Sequence, residues 1–60
     1  MTFMEMINLL DEKHKARREV WQAWLTCEDD DYFLADDFIK YRYYFHKECF
    51  LATDWIVEEI

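Results

Sequence analysis

The fold is decided by one stretch near the N-terminus, Lys13-His14-Lys15-Ala16-Arg17-Arg18-Glu19-Val20-Trp21. Apolar residues before it recur with the period of a helix, whereas from Ala16 onward the pattern alternates as in a strand. The stretch also holds four of the seven Lys and Arg residues of a chain whose formal net charge is −7. It therefore marks a change from helix to sheet and is a candidate site for a small anion.

An amphipathic helix is predicted before this stretch. Thr2 and Glu5 have the spacing of a capping box, in which each residue bonds the other's backbone N–H. Apolar residues at the i, i+3, i+4, i+7 spacing then predict a helix over about residues 3–12 with one buried stripe, formed by Phe3, Met6, Ile7 and Leu10. Lys13, His14 and Lys15 are expected at its C-terminal end, where cations complement the helix dipole.

Strands are predicted over most of the remaining chain. Alternating patterns predict strands at residues 16–21, 22–27, 32–35, 38–45 and 55–59, and a helical turn at 46–51. Because adjacent carboxylates favour solvent, turns are expected at 28–31 and 36–37. The predicted fold class is α+β: one N-terminal helix packed on a small antiparallel β-sheet, with a short helical turn before the last strand, in a single domain of residues 1–60.

Two of these strands carry expectations about side chains. If residues 16–21 are extended, Arg17 lies beside Trp21 on one face. In the segment 38–45, the richest in aromatic residues, the core face is expected to hold Ile39, Tyr41, Tyr43 and Phe45.

Composition indicates that the chain does not act alone. A domain of 60 residues buries only about 60% of the surface of its unfolded chain. Yet 53% of the residues are hydrophobic and 20% are aromatic. We therefore expect a homo-oligomer, in which a second subunit covers part of this apolar surface.

Net charge and hydropathy limit the classes of partner that the chain can bind. A net charge of −7 disfavours binding to nucleic acid or to an anionic membrane surface. No apolar run approaches the roughly 20 residues that span a bilayer, so a cytoplasmic protein is expected. The two cysteines, Cys27 and Cys49, are expected to be free thiols rather than a disulfide scaffold.

Metal sites and catalysis are not expected. His46-x-x-Cys49 has zinc-ligand types, but the chain lacks a second short-spaced pair. The acidic run 28–31 lacks the spaced ligands and the glycine of a calcium loop. Nothing provides Cys49 and His46 with the orienting group or the oxyanion site that a nucleophile requires. We predict no cofactor, no metal and no enzymatic activity.

The two ends of the chain resemble one family. The opening combines Met1-Thr2-Phe3, Leu9-Leu10, Lys15-Ala16-Arg17-Arg18 and Trp21, and the closing block is Leu51-Ala52-Thr53-Asp54-Trp55-Ile56-Val57-Glu58. Both resemble the small phage proteins known as Thoeris anti-defence proteins of the second type, formerly a domain of unknown function. The likeness covers about half of the chain. This chain has Lys13 where members usually carry glycine, and its middle lacks the glycine-rich loop of longer members.

The resemblance implies a fold and a function. Members have one helix with an antiparallel sheet and form oligomers. Each is a viral protein that acts as a "sponge": it binds a cyclic nucleotide immune signal in the host bacterial cytoplasm without cleaving it. Binding removes the signal and so lets the phage evade host immunity. The ligand is then expected at a subunit interface of a homo-oligomer.

The predicted ligand-binding residues are Arg17, Arg18, Trp21, Asp54 and Trp55. A base stacked on an aromatic ring contributes about 1–3 kcal/mol, and fixed cations bind phosphate. Trp21 is predicted to stack on the base and Arg17 or Arg18 to meet phosphate.

Structural roles for the same residues remain open. Trp21 and Trp55 can fill the core, the arginines can pair with carboxylates, and Asp54 can either cap a turn or bind a ribose hydroxyl. Further pocket or interface candidates without motif support are Trp24, Arg42 and Tyr44.

An alternative function follows from the acidic residues. An acidic inhibitor can cover the nucleic-acid groove of a host defence enzyme, with carboxylates standing in for phosphates. The residues predicted for that role are Asp29, Asp30, Asp31, Asp36 and Asp37.

Overall fold

The computed structural model describes residues 1–60. Its elements in chain order are α1 (Phe3–Leu9), β1 (His14–Arg18), β2 (Trp24–Glu28), β3 (Asp31–Ala35), β4 (Lys40–Arg42), α2 (Lys47–Leu51) and β5 (Trp55–Glu59). The strands form one antiparallel sheet in the order β4-β3-β2-β1-β5. The predicted α+β class is confirmed, including the helix before the last strand.

The start of α1 follows the sequence pattern. The Thr2 Oγ1 accepts a bond from the Glu5 N–H at 3.3 Å, and the Thr2 N–H donates to Glu5 Oε1 at 2.9 Å. The helix ends earlier than predicted, because Leu10 is extended and the Asp11 carboxylate accepts the Lys13 N–H at 2.8 Å. This turn sends the chain directly into β1.

The cationic residues after α1 therefore do not form a helix end. The last turn of α1 has no basic residue, and β1 begins at His14 and ends at Arg18. The prediction that residues 13–15 complement the helix dipole is wrong, as is the prediction of a strand over 16–21. Asp11 bonds the His14 ring at 2.8 Å, which lowers the pKa of that carboxyl.

The core lies between the helices and one face of the sheet, which we call the covered face. Its buried residues come from both helices, the segment after α1, and strands β1, β2 and β5; they are Phe3, Met6, Leu10, Ala16, Leu25, Cys49 and Trp55. Rings packed edge to face surround them, among them Trp21, Tyr43 and Phe45. The predicted helical stripe is thus confirmed.

The segment predicted as the longest strand is mostly not a strand. Only Lys40–Arg42 pairs with β3, because the Asp36 carboxylate accepts the N–H groups of Phe38 and Ile39 and extends the turn predicted at 36–37 into the start of the predicted strand. Tyr43 and Phe45 pack against the core as predicted. Ile39 and Tyr41 do not, since about half of each side chain is exposed at 53% and 48%.

The acidic turn between β2 and β3 is shorter than predicted. Glu28 and Asp31 pair as the last rungs of the two strands, which leaves Asp29 and Asp30 as the turn. Their φ angles are 51° and 67°, so both adopt the left-handed conformation that suits this two-residue hairpin.

Candidate functional site

The five sequence-predicted binding residues lie at one corner of the molecule, where β1 ends and β5 begins. The two strands pair from His14 opposite Glu59 to Arg18 opposite Trp55. This pairing joins in space the two terminal blocks on which the family resemblance rests.

Arg18 and Asp54 form an ion pair at this corner. The Arg18 Nε lies 2.9 Å from Asp54 Oδ1, and Nη2 lies 3.5 Å from Oδ2. Both side chains are only about a quarter exposed, at 24% and 27%. The hydrogen bonds from Arg18 hold the pKa of Asp54 below its ordinary value. Asp54 also fixes the following loop, because its carbonyl accepts the Glu19 N–H at 3.2 Å.

Trp21 and Trp55 pack against each other on the covered face. Their ring centroids are 5.2 Å apart with an interplanar angle of 88°. Trp55 is 2% exposed, and its indole N–H donates to the Cys49 carbonyl at 3.2 Å. Trp21 is half-buried and also contacts the Tyr43 ring edge to face. Trp55 therefore has a structural role, while the ring of Trp21 keeps some surface that a ligand can reach.

Arg17 does not lie beside the Trp21 ring, since β1 ends before Trp21. Its Nη1 donates to three carbonyls of the loop after β1, at 3.2 Å to Arg18, 3.0 Å to Glu19 and 3.0 Å to Trp21. The ring that its guanidinium does contact is Trp24, at 5.2 Å from the centroid. Arg17 thus stabilises the loop through these hydrogen bonds, and its guanidinium contacts the Trp24 ring instead of the predicted Trp21 ring.

Trp24 lies on the second face of the sheet, which no helix covers and which we call the open face. Strand alternation and register assign to it Lys15, Arg17, Trp24, Thr26, Glu28, Asp31, Phe33, Ala35, Lys40, Arg42, Ile56 and Glu58. Four of the seven Lys and Arg residues of the chain are in this set, together with three of the fourteen Asp and Glu residues. The open face is therefore slightly cationic, and the acidic excess lies elsewhere.

Lys15, Trp24 and Arg17 form a compact cluster on the open face, where β1 ends and β2 begins. The Lys15 Nζ lies 4.3 Å from the Trp24 centroid, and the Arg17 guanidinium carbon lies 5.2 Å from it. Lys15 pairs with Thr26 and Ala16 with Leu25, so Trp24 is the diagonal neighbour of Lys15 on β2, and Arg17 and Trp24 are the residues that follow the last paired rung. Neither cation forms a salt bridge. Cation–π contacts at exposed sites contribute about 0.5–1 kcal/mol, so a ligand can displace Lys15 from the ring.

The cations at the β4 edge are different because they are neutralised. Lys40 lies 2.6 Å from Glu28, and Arg42 lies 2.8 Å from Asp31. Each also contacts an aromatic ring at 5.2 Å: Lys40 over Phe33 and Arg42 over Tyr44. The positive charge of the open face that forms no ion pair is therefore at Lys15 and Arg17, with the Glu58 carboxylate of β5 on the same face opposite Lys15.

Sequence reasoning missed Lys15 and undervalued Trp24. The helical pattern predicts Lys15 at the end of a helix, whereas the structure places Lys15 and Arg17 two residues apart on one face of β1. Trp24 belongs to no sequence motif that points to a ligand. Because a contact between two strands depends on their register, only the β1–β2 pairing brings these side chains together.

The concave regions of the surface lie away from the ion pair of Arg18 and Asp54 and from the cluster of Lys15, Trp24 and Arg17. Two shallow clefts of about 360 and 430 Å3 adjoin each other at the opposite end of the sheet. Three carboxylates, from Glu12, Glu28 and Asp29, line the first cleft; the second is lined by the carboxylates of Glu12 and Glu59 together with Lys13 and His14, so carboxylates predominate over the two. An anionic ligand is repelled there, so cleft size does not identify the site.

No group of three or more His, Cys, Asp or Glu side chains is placed to hold a metal ion. Neither helix has the length and hydropathy that crossing a bilayer requires. Cys49 is buried, and its sulfur lies 3.3 Å from the Tyr43 hydroxyl. Burial is the main cause that raises the pKa of Tyr43, and the contact with Cys49 raises it further.

Comparison of the chain with protein-family models, with curated proteins and with solved structures found no match in any of the three.

Proposed function

We propose that this protein is a phage anti-defence protein that binds a cyclic nucleotide immune signal and holds it without cleaving it. The observation that carries the proposal is that the two terminal blocks of the family resemblance pack side by side in the structure. An ion pair between Arg18 and Asp54, at 2.9 Å, links them. Sequence features far apart in the chain thus form one structural unit. The helix and antiparallel sheet also agree with the fold that the resemblance implies.

Electrostatics supports an anionic small molecule as the ligand. The chain as a whole repels long polyanions, because its net charge is −7. A small nucleotide needs only a local group of cations and an aromatic ring. Arg17 and Lys15 provide unpaired positive charge beside Trp24.

A homo-oligomer is part of the proposal. Large apolar side chains are left exposed, with Phe38 at 93% and Leu51 at 70%. A small protein that exposes this many large apolar side chains has surface for a second subunit to cover, which supports an interface. A second copy covers such surface and places the ligand between subunits. Light scattering of the purified protein tests this component directly, and a monomer at micromolar concentration contradicts it.

Capture of the ligand tests the function. The purified protein is incubated with extracts of cells whose immune cyclases are active, separated from the extract, and heat-denatured. Mass spectrometry is expected to find an intact cyclic nucleotide in the released fraction. Recovery of a cleaved product contradicts sequestration, and co-purification of a host protein without any nucleotide favours the acidic inhibitor instead.

A variant of Trp21 tests the residue assigned to the base. Trp21→Phe preserves an aromatic ring against Trp55 and is expected to fold, as judged by circular dichroism; loss of nucleotide capture by the folded variant assigns the base to Trp21. Full capture by a folded Trp21→Ala protein removes Trp21 from the binding site.

A further inference from the structure

We infer that the open face of the sheet binds the ligand through the cluster of Lys15, Trp24 and Arg17, with the ring of a free nucleotide stacked on Trp24 and its phosphate between the two cations. This inference rests on the proposed function, because it assigns a binding site to the nucleotide that the proposed function requires. None of the assigned atoms belongs to the packed pair of Trp21 and Trp55.

Trp24 is the ring available for stacking. Trp55 is buried, and Trp21 is held edge to face between Trp55 and Tyr43. Trp24 makes no aromatic pair with another ring. Its contacts are instead with two cations: Lys15, whose flexible side chain can move from the ring to a phosphate, and Arg17, which the loop carbonyls hold in place.

The two cations suit phosphate because they have free donors. The Nη1 of Arg17 serves the loop carbonyls, whereas its Nε and Nη2 make no hydrogen bond within the protein. Lys15 makes neither a salt bridge nor a side-chain hydrogen bond. Arginine with one anchored nitrogen presents a fixed fork, and lysine adds a mobile point charge.

Charge complementarity selects a free nucleotide over a strand of nucleic acid. A strand needs a track of unpaired cations and several exposed rings. Here the neighbouring cations Lys40 and Arg42 are paired with Glu28 and Asp31, and Glu58 lies opposite Lys15 on β5, so carboxylates on both sides of the cluster disfavour further phosphates. One ring and two free cations match one base with its phosphate.

The test uses adenosine 5′-monophosphate as the probe and nuclear magnetic resonance of the three tryptophan indole N–H groups. Trp24→Phe, Trp21→Phe and Trp55→Phe identify the signals. The Trp24 signal is expected to move most on titration. Adenosine has the base without the phosphate, and inorganic phosphate has no base, so each is expected to bind more weakly than the nucleotide. A short single-stranded oligonucleotide is also expected to bind more weakly per nucleotide.

Variants measure the contribution of each group. Loss of a stacking ring in Trp24→Ala is expected to weaken binding by at least about fivefold. Lys15→Gln is expected to weaken it by about tenfold, since a charge-assisted hydrogen bond is lost. Lys47→Gln removes the same charge from the helix before β5 and is the matched control, with no expected change. Arg17→Lys keeps the charge if Arg17→Gln fails to fold.

Three results overturn the inference. They are a shift of the Trp21 and Trp55 signals without Trp24, equal weakening by Lys15→Gln and Lys47→Gln, and no shift of any indole at millimolar nucleotide. The first leaves the proposed function standing with its site at Trp21. Capture from extracts decides the proposed function separately in every case.

Discussion

Arg18 and Asp54 are 36 residues apart in the chain, and their side chains form an ion pair at 2.9 Å. The pair lies where β1 ends and β5 begins, and the backbone of Asp54 also accepts the Glu19 N–H. It therefore anchors the loop that leads to Trp21 and connects the two ends of the chain.

Removal of this pair is expected to change how stability depends on pH. Because Arg18 lowers the pKa of Asp54 in the folded protein, Asp54 stabilises the fold above its ordinary value of 3.8, and this contribution is lost as the pH falls through the lower folded value. Asp54→Asn should therefore unfold at a lower temperature than wild type at pH 7.

The same variant should approach wild type in acid, since wild-type Asp54 is then protonated. Thermal unfolding followed by circular dichroism from pH 7 to pH 2 measures the difference. Other carboxyls with a lowered pKa, Glu5, Asp11 and Asp36, contribute equally to both proteins. A difference that is constant with pH contradicts an ionic role for Asp54.

Asp30→Gly is expected to stabilise the protein by about 1 kcal/mol, because the left-handed conformation costs a residue with a Cβ roughly that amount. Its φ of 67° is in the region where glycine has no such penalty. Urea unfolding at neutral pH measures the change in the free energy of unfolding. Asp37→Gly is the control, since Asp37 has no positive φ, and it is expected to be neutral or destabilising. Equal effects at both positions rule out the conformational explanation.

Leu25→Ala removes buried methyl groups and leaves a cavity, so it is expected to destabilise the fold by about 2–5 kcal/mol. Leu25 is 0% exposed and lies at the centre of the sheet. A chain of this size has little stability to lose, so the variant should be largely unfolded at 37 °C. Leu51→Ala makes the same chemical change at a side chain that is 70% exposed. That control is expected to change stability by less than about 0.5 kcal/mol in a monomer.

The two thiols are expected to react at different rates. Cys49 is 3% exposed, whereas Cys27 is half-buried, and burial together with nearby carboxylates raises the pKa of Cys27. Iodoacetamide should therefore label Cys27 slowly at pH 7.5 and faster above pH 9, and should label Cys49 only after unfolding. Peptide mass spectrometry identifies the labelled residue. Faster labelling of Cys49 in the native protein contradicts the packing around α2.

Local pattern was sufficient for much of the fold. The capping box at Thr2 and Glu5, the stripe on α1, the turn at Asp36 and strand β5 are all set by residues within a few positions of one another. Short-range hydrogen bonds and side-chain period decide such features. The same reasoning failed for β1 and β4, where a tight turn at Asp11 and the packing of Tyr43 and Phe45 moved the boundaries.

By itself, then, the sequence determined an α+β chain with a helix at its start, a basic stretch at the passage into the sheet, and the period of its strands. Only the tertiary structure decided what that stretch does. Strand pairing sends Arg18 to Asp54 on the covered face and turns Lys15 and Arg17 toward Trp24 on the open face. The physical reason is that alternate strand residues face opposite sides, so the pairing register of β1 decides the neighbours of each side chain, and a slip of one residue would exchange them all.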